Sequence, residues 1–360
     1  MTLAIRDRVP LAPLTTLELG GEARHLVEAA DEAAIVEALA WAEARKLPVL
    51  ILGGGSNLVI ADRGWDGLVI RIATRGRRFE PSNGGVALTV AAGEPWDEIV
   101  ADTVARGLAG LECLSGIPGL VGATPIQNVG AYGQEVAETI RSVRVLERAS
   151  GRIEDLPAAA CRFAYRDSAF KRDPGRFVVL GVTFALRPDG APTLRYRELA
   201  DAFADGRRPT LADVRATVLA LRAKKSMVIA PGDPNRRSVG SFFMNPVVDV
   251  AQADAVAARA VALGAIAAPD EMPRWPAPGG AVKLSAGWLI ERAGIRKGHR
   301  RGAVGVSSAH ALALVHHGGG STAALVELAR AVRDAVHAQF AMTLLPEPTI
   351  IGESWNPPER

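Results

Sequence analysis

The spacing of apolar residues changes several times along this chain, and each change marks an element. Behind Asp31, Ile35, Val36, Leu39 and Ala40 recur at helical intervals, so the pattern predicts an Asp31-capped helix over 31–46 with those residues as its buried stripe. PVLIL (48–52), GLVIRI (67–72) and VALTVAAG (86–93) are short apolar runs of strand length. PWDEIVADTVARG (95–107) predicts a helix with proline in its first turn and glycine at its end. Strand patterns return in IRSVRVLE (140–147) and RFVVLGVTFAL (176–186). A helix over 211–225 ends in the basic run Arg222, Lys224, Lys225. Beyond it the pattern predicts helices at 249–263, 285–293 and 321–340, a strand in ALALV (311–315) and a last strand in TLLPEPTIIG (343–352).

PGDPN (231–235) breaks the pattern and marks a domain boundary, and PRWPAPGG (273–280) reads as a linker. The 115–133 loop, SGIPGLVGATPIQNVGAYG, is far longer than an ordinary connection, and such loops inside compact domains are usually functional. Its glycines at 116, 119, 122, 130 and 133 enclose small Ala123 and Thr124 and polar Gln127 and Asn128. A flat ligand carrying a pyrophosphate would use all of these; the other reading is an irregular structural loop. GGGSN (53–57), directly after a strand, reads either as a concave nest of amides for an anion or as a tight turn.

At 360 residues the chain suggests two or three domains, and 48 % hydrophobic content supports real cores. The net charge is only +3, with a pI of about 9.1. The densest basic cluster, 296–301, suits a small anion as well as a nucleic acid. Two cysteines, Cys113 and Cys161, make neither a disulfide framework nor a zinc site, so no metal is expected. No apolar leader and no 18-residue apolar run is present, so a soluble cytoplasmic protein with no membrane or nucleic-acid partner is expected.

One pattern resembles a dinucleotide fingerprint. Gly318, Gly320 and Ala323 follow a strand and open a helix, but no second strand with an acidic end follows, so the site is set aside. His316 and His317 are adjacent and on a strand would face opposite ways, against a shared metal. In FAYRDSAFK (163–171), Arg166 could clamp a carboxylate or pair structurally with Asp167. Glu347 in LPEP is either a partly buried carboxyl with a raised pKa or an exposed loop residue. GSFFMNP (240–246) places two phenylalanines beside Ser241 in a chain with 5 % aromatics; they could simply be core.

LGGGSNLVI, IPGLVGATPIQNVGAYGQEV, FAYRDSAFK, GSFFMNPVV, AGWLIERAGIRKG and LLPEPTIIG occur in this order over 52–352. Together they resemble the UDP-N-acetylenolpyruvoylglucosamine reductase (MurB) family, in the form with a tyrosine-bearing substrate loop. The resemblance implies an α+β protein: a two-lobed FAD-binding domain of the PCMH/vanillyl-alcohol-oxidase type and a smaller α/β substrate-binding domain. The implied domains are 1–229 for FAD, with lobes split near 65, 230–341 for substrate, and a 342–360 tail returning to the FAD region. It implies non-covalent FAD, NADPH and UDP-N-acetylglucosamine enolpyruvate, and the chain is expected to be a monomer.

Carried over position by position, Arg166 would polarise the substrate carboxylate with help from Glu347, and Ser241 would protonate C2. The flavin contacts would be Gly53, Gly54, Gly55, Ser56 and Asn57 in the first loop. In the second they would be Ser115, Gly116, Pro118, Gly119, Gly122, Ala123, Thr124, Gln127, Asn128, Gly130, Ala131 and Tyr132. Tyr196, Lys225 and Asn245 would hold the UDP part. Thr15-Thr16-Leu17 stands where the family has Asn-Thr-Phe, and Ser307 where it often has His. A rival reading is another PCMH-type oxidase or dehydrogenase of a small alcohol or sugar. Many of those bind FAD through histidine, but here no histidine lies between His25 and His299. A nucleic-acid-binding module would need a contiguous basic face, which the sequence lacks outside 296–301.

Overall fold

The structure is a computed structural model that describes residues 3–204 and 206–355. Contacts divide the chain into two compact units. The first comprises the chain up to Val9, Ala23–Gly55 and Trp65–Val228; the second comprises Pro10–Glu22, Ser56–Gly64 and the chain from Ile229 onward. The division therefore departs from a single cut at 229, because two early segments pack with the second unit.

Among the described residues the first unit holds two larger sheets and a two-stranded one, Gly130–Ala131 with Gln134–Glu135. One has four strands in the order Arg6–Pro10, Glu22–Ala29, Trp65–Ile72, Val49–Leu52. Trp65–Ile72 runs parallel to both neighbours and its apolar run is almost wholly buried, as expected of a parallel strand covered on both faces. Residue 65, where the resemblance places the split between lobes, is the first residue of this strand of the first sheet. Asp31 caps the helix Glu32–Glu43 by accepting the Ala34 amide at 2.7 Å. Its buried face is Ile35, Ala38 and Ala42, whereas Val36 is 42 % exposed; the sequence stripe was rotated, because small alanines face the core.

The second sheet is antiparallel: Ile153–Pro157, Ile140–Glu147, Phe177–Pro188, Gly85–Ala91, Arg77–Ser82, with Leu108–Ala109 pairing on the long strand. The helix Trp96–Ala105 follows, with Pro95 as its N-cap rather than inside its first turn. Trp96 buries its ring against Phe184 and donates its indole N–H to the Leu114 carbonyl at 3.0 Å, so the helix anchors the start of the long glycine loop. A small separate core of Cys113, Leu199, Phe203, Val214, Val218 and Leu221 seats the helices Arg197–Asp201 and Leu211–Lys224. The latter begins with a reciprocal box between Thr210 and Asp213.

The second unit has helices Val250–Ala262, Ala286–Arg292 and Thr322–Phe340 around a core that includes Leu17, Leu19 and Val59 from the early segments. Its sheets are Val247–Val248, Val282–Leu284, Arg274–Pro276 and Arg300–Arg301, Val304–Val306, Leu314–His316. The presumed linker thus contributes an edge strand, Arg274–Pro276. The tail forms a strand only over Thr349–Ile351, and it pairs in parallel with Leu58–Ile60, just after the GGGSN loop. The last residues of the expected tail, 356–360, lie outside the described residues. No helix among the described residues is long and apolar enough to cross a membrane.

Candidate functional site

Both glycine loops approach each other in the first unit. A Cβ on Gly54 would stand 2.9 Å from the Gly119 Cα, so side chains at this crossing are excluded by backbone. Gly55 and Gly119 take φ of 62° and 123°, which glycine adopts without strain. The amides of Gly53, Gly54 and Gly55 donate to no protein group among the described residues. Three consecutive free amides beside a second glycine loop form a cradle that suits an anion such as a pyrophosphate.

The second loop is fastened from below. Trp96 N–H donates to the Gly119 carbonyl, Val121 N–H to Glu94 and Gly122 N–H to Ala92. A Cβ on Gly122 would meet the Ala92 Cβ at 2.6 Å, so its glycine serves close packing. Several predicted contact side chains are used inside the protein. Ser115 donates to the Glu112 carbonyl at 2.7 Å and Thr124 to Val121 at 2.8 Å. Buried Asn128, at φ 45°, donates to Glu135 and Ala164 and accepts from Ala137. These three shape the loop through their side chains.

Arg166 also belongs to this loop. It sits at φ 53°, donates to the Gly130 carbonyl at 2.5 Å and reaches Asn128 O at 3.5 Å. Its neighbour Asp167 pairs with Arg172 at 2.6 Å. Of the three predicted sugar-nucleotide contacts, two gather here. Tyr196 meets Tyr132 edge-on with centroids 5.3 Å apart, and the Lys225 ammonium lies 5.9 Å from the Tyr132 ring. Burial pushes the Tyr132 phenol up to about 12, so it stays protonated at neutral pH.

Sequence reasoning missed a charged network beneath the loop. Asp97 accepts the Gly116 amide at 2.6 Å and both arms of Arg215 at 2.6 and 2.8 Å. Burial raises its carboxyl, but Arg215 and the Gly116 amide outweigh this and hold it below the ordinary value. Arg222 donates to Met227 O at 2.6 Å, while its Nε is buried without a partner among the described residues. Only the basic end of its helix hinted at it.

In the second unit the tail brings Glu347 to GSFFMNP. Glu347 N–H donates to the Phe242 carbonyl at 2.8 Å, Met244 N–H to Leu345, and Phe243 bridges Pro346. Phe242 and Phe243 are fully buried and pack with Trp355 of the tail, so the aromatic pair is core after all. Ser241, beside them, is half-buried, and its hydroxyl has no partner among the described residues. Asn57 donates to the Glu347 carbonyl at 3.4 Å. The Asn245 side chain instead accepts the Ala286 amide at 3.0 Å, fixing the start of a helix.

The glycine run at 318–320 has a different explanation. The first amides of Thr322–Phe340 are taken by Asp62, which accepts from Thr322 at 2.7 Å and Ala323 at 2.9 Å. A protein carboxylate already stands where a dinucleotide phosphate would. His316 is buried between the Leu17 carbonyl, to which Nδ1 donates, and the Gly320 amide, which Nε2 accepts. Among the described residues no group of three or more His, Cys, Asp or Glu is placed to hold a metal ion. At the departures from the family pattern, Thr16 donates to Ser238 O at 2.6 Å, and buried Ser307 accepts the amides of Ala309 and His310.

Comparison with known proteins settles the lineage. The UDP-N-acetylenolpyruvoylglucosamine reductase C-terminal domain profile matches 233–351, and an FAD binding domain profile matches 23–157. The UDP-N-acetylenolpyruvoylglucosamine reductase of Saccharopolyspora erythraea is 50 % identical over 348 residues, 95 % of this chain and 94 % of that protein. The chain belongs to the UDP-N-acetylenolpyruvoylglucosamine reductase family. As a member it is an FAD-binding oxidoreductase of α+β fold. The Streptomyces coelicolor reductase is 48 % identical, covering 95 % of this chain and 89 % of its own. The crystal structure of the Thermus caldophilus reductase superposes with a TM-score of 0.66 at 25 % identity, over 97 % of this chain and 100 % of that one.

Proposed function

We propose that this chain reduces UDP-N-acetylglucosamine enolpyruvate to UDP-N-acetylmuramate at the expense of NADPH, as a cytoplasmic monomer in peptidoglycan precursor synthesis. The observation that carries the reading is the 50 % identity to a reductase of this name along nearly the whole chain. The free amides at Gly53–Gly55 support FAD, whose pyrophosphate they would hold. FAD, when bound, supplies the hydride drawn from NADPH that ends on C3 of the enolpyruvyl group.

The chain's own residues manage the charge and the proton. Hydride addition drives negative charge toward C2 and the substrate carboxylate. Arg166, oriented by the Gly130 and Asn128 carbonyls, would stabilise that charge, with Glu347 assisting. Ser241 would deliver the proton to C2, since no protein group competes for its hydroxyl among the described residues. Phe242 and Phe243, buried in the core beside it, would fix the serine. Tyr196, Lys225 and Asn245 would bind the UDP part. The sugar and NADPH would use one pocket in turn, which gives ping-pong kinetics.

The test is anaerobic. The flavin is reduced with NADPH, the enolpyruvyl UDP-sugar is added, and flavin absorbance is followed. Rapid reoxidation is expected in the wild type, with Ser241→Ala reducible by NADPH but at least about 100-fold slower toward the sugar. Reduced flavin that ignores the sugar and reacts only with oxygen would overturn the reading in favour of an oxidase.

A further inference from the structure

The Lys225 ammonium is already engaged by an anion of the protein itself. It forms an ion pair with the Glu198 carboxylate. Glu198 lies in the short helix Arg197–Asp201, two residues beyond Tyr196, and Lys225 is the C-cap of Leu211–Lys224. One ion pair therefore fastens together two of the segments that carry proposed UDP contacts, those of Tyr196 and Lys225. The edge-on Tyr132–Tyr196 pair adds a second tie between the same region and the glycine loop. The pair is open to an arriving ligand, with side-chain exposures of 30 % for Lys225 and 42 % for Glu198.

We propose that Glu198 is a positioning residue that occupies Lys225 in place of the ligand's phosphates and yields it when a diphosphate binds. The proposal rests on the reading of Tyr196 and Lys225 as UDP contacts. Before binding, Glu198 holds the Lys225 ammonium that the nucleotide's phosphates will take. On binding, two anions compete for one ammonium. A diphosphate brings more charge and more acceptor oxygens than a carboxylate, so it wins, but its affinity is reduced by the displacement. A ligand without phosphate does not meet the competition. The exchange acts on binding and not on the bond-making steps, so it belongs in KM rather than kcat.

The experiment measures UDP and uridine binding to the flavin-loaded protein by calorimetry, in the wild type, Glu198→Gln, Glu198→Ala, Lys225→Met and the double variant Glu198→Gln/Lys225→Met. Removing the Glu198 charge should tighten UDP about 5- to 10-fold, leave uridine unchanged and lower KM for the UDP-sugar at constant kcat. Lys225→Met should weaken UDP about 10-fold or more, and the gain from Glu198→Gln should vanish in the double variant. If Lys225→Met weakens UDP while both Glu198 variants bind it no better than wild type, Glu198 is only a structural partner and the proposal fails. If Lys225→Met leaves UDP binding intact, the Lys225 reading itself fails and takes the proposal with it.

Discussion

Single residues in this protein were legible as chemical types but not as partners. The glycines at 53–55 and 119 could be read as a ligand loop because few other roles justify so many. That Asn128 would spend its amide on Glu135, Ala164 and Ala137 could not, since those groups meet only once the chain closes. Asp97 is the clearest case. It sits in a helix's first turn, where any acidic residue is unremarkable, yet it joins Arg215 to the Gly116 amide. Its folded carboxyl lies below the ordinary 3.8, so its stabilisation is fully present above that value and is lost as pH falls through the lower folded pKa. Asp97→Asn should therefore cost on the order of 1–2 kcal/mol near neutrality, discounted for a carboxylate that is 38 % exposed. Urea midpoints measured down the acid range should show the gap constant above about pH 5 and closing only in stronger acid. A gap that stayed open in strong acid would mean that packing, not charge, is what Asp97 contributes.

At the scale of elements, long helices announced themselves through period and caps, and those over 211–225, 249–263 and 321–340 lie within a residue or two of expectation. Short strands did not. Leu58–Ile60 is too brief to carry a pattern, and it is a strand only because Thr349–Ile351 pairs with it across the chain. The same closure decides the glycine run before Thr322–Phe340, where Asp62 takes two of the first amides that a sequence pattern would offer to a phosphate. An anion at that end also meets the favourable pole of the helix dipole. Asp62→Ala should lower stability by about 1–2 kcal/mol, and Asp62→Asn by less, since the amide oxygen keeps one acceptor without the charge. Thermal and urea unfolding of both variants check the order. Equal losses would show that the charge adds nothing to the hydrogen bonds.

On the scale of the whole molecule, length suggested two or three domains and contacts divide the chain into two units, but a cut at the PGDPN break misses how the second is assembled. Its core takes Leu17, Leu19 and Val59 from segments that precede most of the first unit in sequence. Its tail strand needs Leu58–Ile60, its buried His316 donates to Leu17 O, and its longest helix starts on Asp62. No local pattern signals this, because each borrowed segment is short and its apolar residues would fit either unit. The borrowed residues are not a minor addition. Burying side chains of this size is worth about 1.5–3 kcal/mol each, against a total domain stability of about 5–15 kcal/mol. A fragment beginning at Ile229 would lose all three side chains, leave the Thr349–Ile351 edge unpaired and open the start of Thr322–Phe340 together. It should therefore fail to fold alone, giving a collapsed amide proton spectrum and no cooperative melting transition, while the full chain melts cooperatively. Adding a synthetic peptide spanning 56–64 should restore little, because the 10–22 segment would still be missing. A fragment from 229 with dispersed amide signals and a sharp transition would show that the later segment carries enough core by itself, and that the early strands merely decorate it.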